Sequence, residues 1–240
     1  MERMPEKVIR EDQRSKQKTF VLVHGAWHGG WCWQRVAARL ARDGHLVYTP
    51  TLTGVGERSH LASTGVNLST HVLDVVNEVE WKDLENFVLC AHSYGGMVAT
   101  GAVERIWPRL ASVVYLDAFL PRDGQSADDI VGAAMPAENG LVAPITAEQF
   151  NVNAADRTWV NRKMTPQSAA CFSERLKLTG ALDRIPGKTY IRAAGFPMPA
   201  FQATFERLSA DPAWATHAMD CGHDIMIDAP EALAALLLDA

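Results

Sequence analysis

Short apolar segments alternate with amphipathic segments along most of the chain, and this alternation limits the possible folds more than any other feature. Phe20–Val23 is apolar and β-branched and precedes a glycine-rich turn, which is typical of a buried strand. Strands that alternate with helices predict βαβ units and a mostly parallel sheet with helices on both faces. The predicted strands are Phe20–Val23, His45–Pro50, Asn86–Ala91, Ser112–Leu116, Lys188–Ile191 and Ala213–Met219. The predicted helices are Trp33–Leu40, Ser69–Val79, Met97–Ile106, Ala200–Leu208 and Glu231–Leu238, the last opened by Asp228 as N-cap and by Pro230.

The alternation is interrupted between residues 121 and 185, where helical pieces such as Gln167–Leu178 replace the strands. We expect 121–185 to form a small helical cap, inserted after the fourth predicted strand and lying over the edge where such sheets bind ligands. The core would then span 19–120 and 186–240. Residues 1–18 carry ten charged residues and no apolar stretch, which predicts a polar tail rather than a signal peptide.

Composition excludes several classes of protein. The 240 residues are 48% apolar and 21% charged, which is ordinary for a globular chain. A net charge of −5 with no basic stripe argues against a nucleic-acid partner, and no apolar run approaches the roughly 20 residues that cross a bilayer. The four cysteines are widely spaced with no CxxC pair. We expect reduced thiols, no metal and no organic cofactor, no membrane partner, and a cytoplasmic location; the oligomeric state stays open.

The strongest chemical signal is Ala91–Gly96, which reads Ala-His-Ser-Tyr-Gly-Gly between a predicted strand and a predicted helix. A serine on such a sharp turn is held out at the end of the strand, and its neighbours must be small because the turn brings backbones together. Ser93 is therefore the candidate nucleophile. The alternative is a serine that only caps the following helix.

A serine hydroxyl needs a base, and the base needs an acid behind it. His223 lies between the last predicted strand and the last helix, at the same edge of the sheet as Ser93. Asp117 ends the strand next to that of Ser93 and is the candidate acid, unless it merely caps the strand. Asp224 is the fallback, although a neighbour of the base usually points away from its ring.

Acyl transfer also needs backbone N–H donors for the charge that develops on the carbonyl oxygen. Tyr94 follows the nucleophile, and Ala26 lies in the glycine-rich loop after the first strand. We assign these two amides to an oxyanion hole. The glycines of the loop could instead serve only to pack the turn against the sheet, and their spacing is not that of a dinucleotide-binding loop.

Over Phe20–Leu238 the chain resembles the α/β-hydrolase superfamily. The segment Val23–Trp33 is similar to the opening motif of the plant methylesterase and hydroxynitrile lyase group. It reads Val-His-Gly-Ala-Trp-His-Gly-Gly-Trp-Cys-Trp. Thr51–Leu61 and Tyr115–Pro121 resemble its small bacterial relatives, a branch similar to esterases that act on carbamates and pyrethroid-type xenobiotics. The resemblance implies an acid after the penultimate strand, but the loop 192–201 has none.

The resemblance includes lyases, which use a threonine in the first loop and a lysine directly after the catalytic histidine. Here these positions hold Ala26 and Asp224, and an aspartate would repel a cyanide leaving group. We therefore expect a serine esterase that cleaves small, largely apolar carboxylic or carbamate esters. A lyase on the same scaffold and a slow-turnover ligand-binding receptor are the alternatives. The candidates for lining an apolar substrate pocket are Trp27, Phe119, Leu120, Phe150 and Trp159.

Overall fold

Six parallel strands form one sheet in the computed structural model, which describes residues 17–240. Most of the predicted polar tail therefore lies outside the described residues. Along the chain the strands are β1 (Thr19–Val23), β2 (Leu46–Tyr48), β3 (Phe87–His92), β4 (Leu110–Leu116), β5 (Leu141–Val142), β6 (Gln167–Ser168), β7 (Gly187–Ala193) and β8 (Ala215–Met219). The large sheet has the order β2-β1-β3-β4-β7-β8. The short strands β5 and β6 pair with each other in an antiparallel manner.

The helices pack around this sheet. They are α1 (Gln34–Arg42), α2 (Leu68–Glu80), α3 (Gly95–Ile106), α4 (Ala127–Val131), α5 (Arg157–Lys163), α6 (Ala170–Ser173), α7 (Pro199–Ser209), α8 (Ile225–Asp228) and α9 (Pro230–Asp239). Short 3₁₀ helices span Gly30–Trp33, Gly56–Leu61, Trp107–Arg109 and Ala181–Arg184. Helix α2 packs on α3, and α1 packs on α9. The predicted fold class, a mostly parallel sheet surrounded by helices, is confirmed.

The two central strands lie in the middle of the core. Every residue of β3 is buried, and so is all of β4 except Ala111. Strands covered on both faces read as continuous apolar runs, which is why the sequence marks them so clearly. The buried centre fixes the register of β3 and β4, and so it fixes where the residues that follow them emerge.

The segment 121–185 contains only short elements, and the predicted helix Gln167–Leu178 is wrong. Gln167 belongs to β6, where its side chain accepts a hydrogen bond from the Trp27 amide at 2.9 Å. The helix that follows has only four residues and ends in extended backbone at Glu174, whose carboxylate accepts from Ser69. Bonds to residues far along the chain therefore override the local helical tendency of this segment.

Asp228 does not cap the last helix as predicted. It ends the separate turn α8, and its carboxylate accepts hydrogen bonds from the amides of Gly222 at 3.1 Å and Asn153 at 3.0 Å. Its side chain therefore ties the loop before α8 to the segment 121–185. Pro230 does occupy the first turn of α9.

Within residues 17–240, none of the helices combines the length and the apolar character that crossing a bilayer requires. The four cysteines are free thiols, three of them buried and Cys221 half-buried.

Candidate active site

Ser93 lies on the turn that joins β3 to α3. Its φ of +53° is in the left-handed region, which is strained for a residue with a side chain. The turn is tight: a Cβ on Gly95 would come within 2.7 Å of the His24 carbonyl oxygen, and one on Gly96 within 2.1 Å of the Phe119 carbonyl oxygen. The small residues after Ser93 are thus a steric requirement, and the turn presents the hydroxyl to the cavity beyond the strand.

A hydrogen-bonded series of three side chains begins at this hydroxyl. His223 Nε2 lies 2.9 Å from Ser93 Oγ, and His223 Nδ1 lies 2.6 Å from Asp117 Oδ2. Because a carboxylate only accepts, the ring hydrogen lies on Nδ1 and leaves Nε2 free to accept from the serine. The three residues follow β3, β4 and β8, so the carboxyl ends of parallel strands bring them together.

The carboxylate of Asp117 is held on its other oxygen by a residue that the sequence analysis missed. Arg192 donates to Asp117 Oδ1 at 2.5 Å, and the amide of Ala193 donates to the same oxygen at 3.1 Å. Arg192 also donates to the carbonyl oxygens of Ala193 and Phe196 and is 3% exposed. An arginine inside the apolar strand β7 was the available signal, because a buried charge needs a partner.

The imidazole of His223 is packed against three aromatic rings. Phe196 stacks on it with centroids 4.4 Å apart, and Phe150 and Phe201 lie at 5.1 and 5.8 Å. Its backbone is fixed as well, since its amide donates to the Phe150 carbonyl at 2.9 Å and its carbonyl lies 3.0 Å from His92 Nε2. The ring therefore has little freedom to turn away from Ser93.

In the loop after β1, the Ala26 amide has no protein acceptor among the described residues, although its neighbours are held by hydrogen bonds. His24 Nδ1 lies 2.8 Å from the Gly25 carbonyl oxygen, His28 Nδ1 lies 2.7 Å from the Ala26 carbonyl oxygen, and the Trp27 amide donates to Gln167. Among the described residues, the amides of Ala26 and Tyr94 have no such acceptor. Both residues line the same cavity as Ser93, where two free N–H donors can bind a developing negative charge.

Histidines and one aspartate are buried behind this loop. His28 Nε2 lies 3.1 Å from Asp224 Oδ2, and both side chains are almost fully buried. Burial opposes the charged forms, but the attraction and hydrogen bond between the two groups outweigh it, so the pKa of Asp224 falls to about 2 and the pKa of His28 is raised. Burial, joined by the nearby His223, holds the pKa of His92 well below its usual value. Burial also lowers the pKa of His24 to about 3, so this ring is neutral.

Asp224 is not placed to act as the acid for His223, since its carboxylate faces His28 and the Nδ1 of His223 is bonded to Asp117. Nor does Asp224 line the cavity. The charge of Asp224 is buried in a pair with His28, so it does not face the cavity. The argument that this charge would repel a cyanide leaving group is therefore wrong.

The cavity in front of Ser93 has a volume of about 190 Å³ and a mainly apolar wall. Of the residues predicted to line it, Trp27, Phe119 and Phe150 do so, whereas Leu120 and Trp159 do not. Trp159 packs instead against Trp31, with centroids 5.0 Å apart, away from the cavity wall. The sequence analysis missed other parts of the wall, which are Ala127, Asp128, Val131, Met135, Ile145, Phe172, Phe196, Met198 and Phe201.

Among residues 17–240, no group of three or more His, Cys, Asp or Glu side chains is arranged as a metal site. The chemistry available at the cavity is that of a hydroxyl, an imidazole, a carboxylate and two free amides.

Comparison with known proteins gives the following similarities. The profile of the alpha/beta hydrolase family matches residues 20–236. The carbendazim hydrolyzing esterase of Nocardioides sp. (strain SG-4G) is 43% identical over 232 residues, which cover 90% of this chain and 96% of that protein. Methylesterase 10 of Arabidopsis thaliana is 34% identical over 110 residues, which cover 45% of this chain and 40% of that protein.

Among solved structures, an extracellular alpha/beta-hydrolase from a Paenibacillus species superposes with a TM-score of 0.79 at 25% identity, covering 93% of this chain and 98% of that one. A pyrethroid hydrolase from Sphingobium faniae JZ-2 has a TM-score of 0.73 at 23% identity, covering 92% of this chain and 96% of that one. The second likeness concerns the fold alone.

Proposed function

The chain belongs to the alpha/beta hydrolase family and is a carboxylic ester hydrolase, and from this premise we propose that Ser93, His223 and Asp117 are its catalytic triad. The observation that carries the proposal is the unbroken series of hydrogen bonds, 2.9 Å from Ser93 to His223 and 2.6 Å from His223 to Asp117. A base within hydrogen-bond reach of the nucleophile, itself oriented by a carboxylate, is the arrangement that activates a serine hydroxyl.

In the first half of the reaction, Ser93 Oγ attacks the ester carbonyl carbon while its proton moves to His223 Nε2. The tetrahedral intermediate carries its negative charge on the former carbonyl oxygen. When it collapses, the bond to the alcohol oxygen breaks, and His223 gives its proton to the leaving alcohol. Ser93 then holds the acyl group as an ester.

In the second half, water takes the place of the alcohol. His223 Nε2 accepts a proton from the water as its oxygen attacks the acyl carbon, and a second tetrahedral intermediate forms. Its collapse releases the carboxylic acid, and His223 returns the proton to Ser93 Oγ. Asp117 keeps the ring hydrogen on Nδ1 throughout and stabilises the imidazolium, while Arg192 holds the far oxygen of Asp117.

The oxyanion hole of this mechanism consists of the amides of Ala26 and Tyr94. Their lack of a protein acceptor among the described residues and their position on the cavity wall beside Ser93 support the assignment. Preorganised donors of this kind stabilise the tetrahedral intermediate more than the flat ester, so they lower the barrier instead of only tightening binding.

The substrate class that we propose is a small, largely apolar carboxylic or carbamate ester. The volume of about 190 Å³ and the aromatic wall support it. A relative that is a carbendazim hydrolyzing esterase, 43% identical over most of both chains, also supports it. The wall draws on the segment 121–185, which we propose as a cap on a catalytic core of 19–120 and 186–240. The cytoplasmic location stays a prediction.

Hydrolysis of p-nitrophenyl butyrate tests the proposal. The wild-type chain should release nitrophenol in a burst followed by steady turnover. Ser93→Ala should lower kcat by about 10⁴-fold or more, because it removes the proposed nucleophile that forms the acyl-enzyme. Ser112→Ala is the matched control, since Ser112 is a buried serine of β4 whose hydroxyl has no partner among the described residues. Turnover by Ser93→Ala at a rate near that of the control would contradict the proposal.

A further inference from the structure

Two buried charged side chains behind the active site take no part in the reaction steps. His28 is 1% exposed and Asp224 is fully buried. His28 belongs to the loop that carries the Ala26 amide, and Asp224 directly follows His223. A buried ion pair is costly to maintain, so a pair that joins two loops of the active site calls for a structural reason.

The hydrogen bonds of His28 define its state. Nδ1 lies 2.7 Å from the Ala26 carbonyl oxygen, and Nε2 lies 3.1 Å from Asp224 Oδ2. A carbonyl and a carboxylate both accept, so both ring nitrogens carry a hydrogen and the ring is an imidazolium. The ring itself is packed, stacking on Trp31 with centroids 5.2 Å apart and lying 5.9 Å from Phe150.

The bond to the Ala26 carbonyl restrains the peptide that follows the oxyanion amide. His24 holds the carbonyl of Gly25, which is part of the same peptide unit as the Ala26 amide. His28 holds the next unit, between Ala26 and Trp27, whose amide end is held by Gln167. With both units restrained, the Ala26 N–H cannot turn away from the cavity without breaking one of these bonds.

We propose that His28, anchored by Asp224, is a positioning residue that keeps the Ala26 amide aimed at the oxyanion; the inference rests on the proposed function. Through this pair, the loop that bears the base is joined to the loop that bears the oxyanion donor. Neither side chain lines the cavity in front of Ser93. Their effect is on the transition state, because only there does the amide meet a full negative charge.

Two substitutions separate the two hydrogen bonds of His28. In His28→Asn the amide group lies where ring Nδ1 lies and can still donate to the Ala26 carbonyl, but it does not reach Asp224. In His28→Gln the amide group lies near the place of Nε2 and can donate to Asp224, but it leaves the Ala26 carbonyl without its donor.

We expect His28→Gln to lower kcat for p-nitrophenyl butyrate by about 30-fold with KM within about threefold, less than the loss of a whole oxyanion donor. His28→Asn should keep kcat within about fivefold of the wild type. An aryl boronic acid, which forms a tetrahedral adduct with the nucleophile, should bind less tightly to the Gln variant in proportion to kcat. Equal losses of kcat in the two variants, or a loss carried by KM, would overturn the inference.

A separate variant controls for losses of kcat that come only from lower stability. Val79→Ala removes buried side-chain volume from α2 and should lower Tm without lowering kcat. Asp224→Asn is the second route if the His28 variants do not fold: its amide can donate to Nε2 while the neutral ring keeps its hydrogen on Nδ1. We expect kcat within about fivefold of the wild type there. A loss like that predicted for His28→Gln would contradict the inference.

These outcomes are distinct from those that test the triad. If the wild-type chain showed no burst of nitrophenol and Ser93→Ala had the same kcat as the wild type, the proposed function would fail whatever the His28 variants did. If the triad holds and His28→Gln matches His28→Asn, only the positioning role fails.

Discussion

Two regions face the cavity and are held in different ways. One is the segment 121–185, and the other is the rim, the edge of the sheet where Ser93, Asp117 and His223 follow their strands. Ser93 and Asp117 directly follow the central strands β3 and β4, and both have backbone in the left-handed region, with φ of +53° and +42°. Such strain persists only where the surrounding structure imposes it. The segment 121–185 instead has helices of at most seven residues and depends on side-chain bonds to distant residues.

Three of those bonds show how the segment is attached. Gln167 accepts from the Trp27 amide, Asn153 binds Asp228, and Asp156 pairs with Arg35 of α1 at 2.6 Å. The backbone of the sheet therefore fixes Ser93 and Asp117, whereas His223 also bonds to the Phe150 carbonyl of the segment. Much of the cavity wall is fixed by individual side chains. Substitutions at the rim should alter the chemical step, and substitutions in the segment should alter which ester is accepted.

The largest effect is expected at the rim. Asp117→Asn should lower kcat by about 10⁴-fold with little change in KM, because an amide can donate to His223 and favour the wrong ring tautomer. Steady-state hydrolysis of p-nitrophenyl butyrate measures it. Asp156→Asn, which changes an aspartate of the segment, is the matched control and should keep kcat within about twofold. A small loss in Asp117→Asn would remove this carboxylate from the triad.

A smaller effect of a different kind is expected in the segment. Phe172 lines the cavity and packs against Trp27 and Tyr94, with centroids 5.7 and 5.4 Å apart. Phe172→Ala should raise KM for p-nitrophenyl hexanoate by about tenfold and leave kcat within about threefold, because apolar contact with the acyl chain is lost. A fall in kcat comparable with that of Asp117→Asn would remove the distinction between the two regions.

Trp159→Ala is the control for that change within the same segment. Trp159 packs on Trp31 and lies under the guanidinium of Arg35, 5.6 Å from the ring centroid, outside the cavity. Its loss should lower Tm and leave the ratio of kcat/KM values for hexanoate and acetate esters unchanged. A changed ratio would mean that the packing of the segment, and not only its cavity wall, determines selectivity.

The sequence was most informative where local pattern and global topology agree. Phe87–His92 and Leu110–Leu116 are buried runs whose apolar character marks them as strands. Since the carboxyl ends of parallel strands share one edge, a serine, an aspartate and a histidine that follow three such strands can be expected near one another. Their distances agree with that expectation, and their catalytic roles stay predictions until they are measured.

The sequence was least informative where contacts join residues far apart. Arg192 and Asp117 are 75 positions apart, and His28 and Asp224 are 196 apart. No periodicity connects such pairs, because periodicity reports only which face of one element is buried. The same reason explains Trp159: its aromatic character predicts burial, but not whether the ring meets the cavity or Trp31.

The assignment of Ser93 as the nucleophile is tested most directly by finding which residue becomes covalently modified. The chain is treated with diethyl p-nitrophenyl phosphate, which transfers its phosphoryl group to an activated serine, and the modified peptide is identified by mass spectrometry. We expect a single modification per chain on Ser93, which is lost in Ser93→Ala and much slower in His223→Gln. A modification on another residue, or an equal rate when His223 is replaced, would contradict the proposed triad.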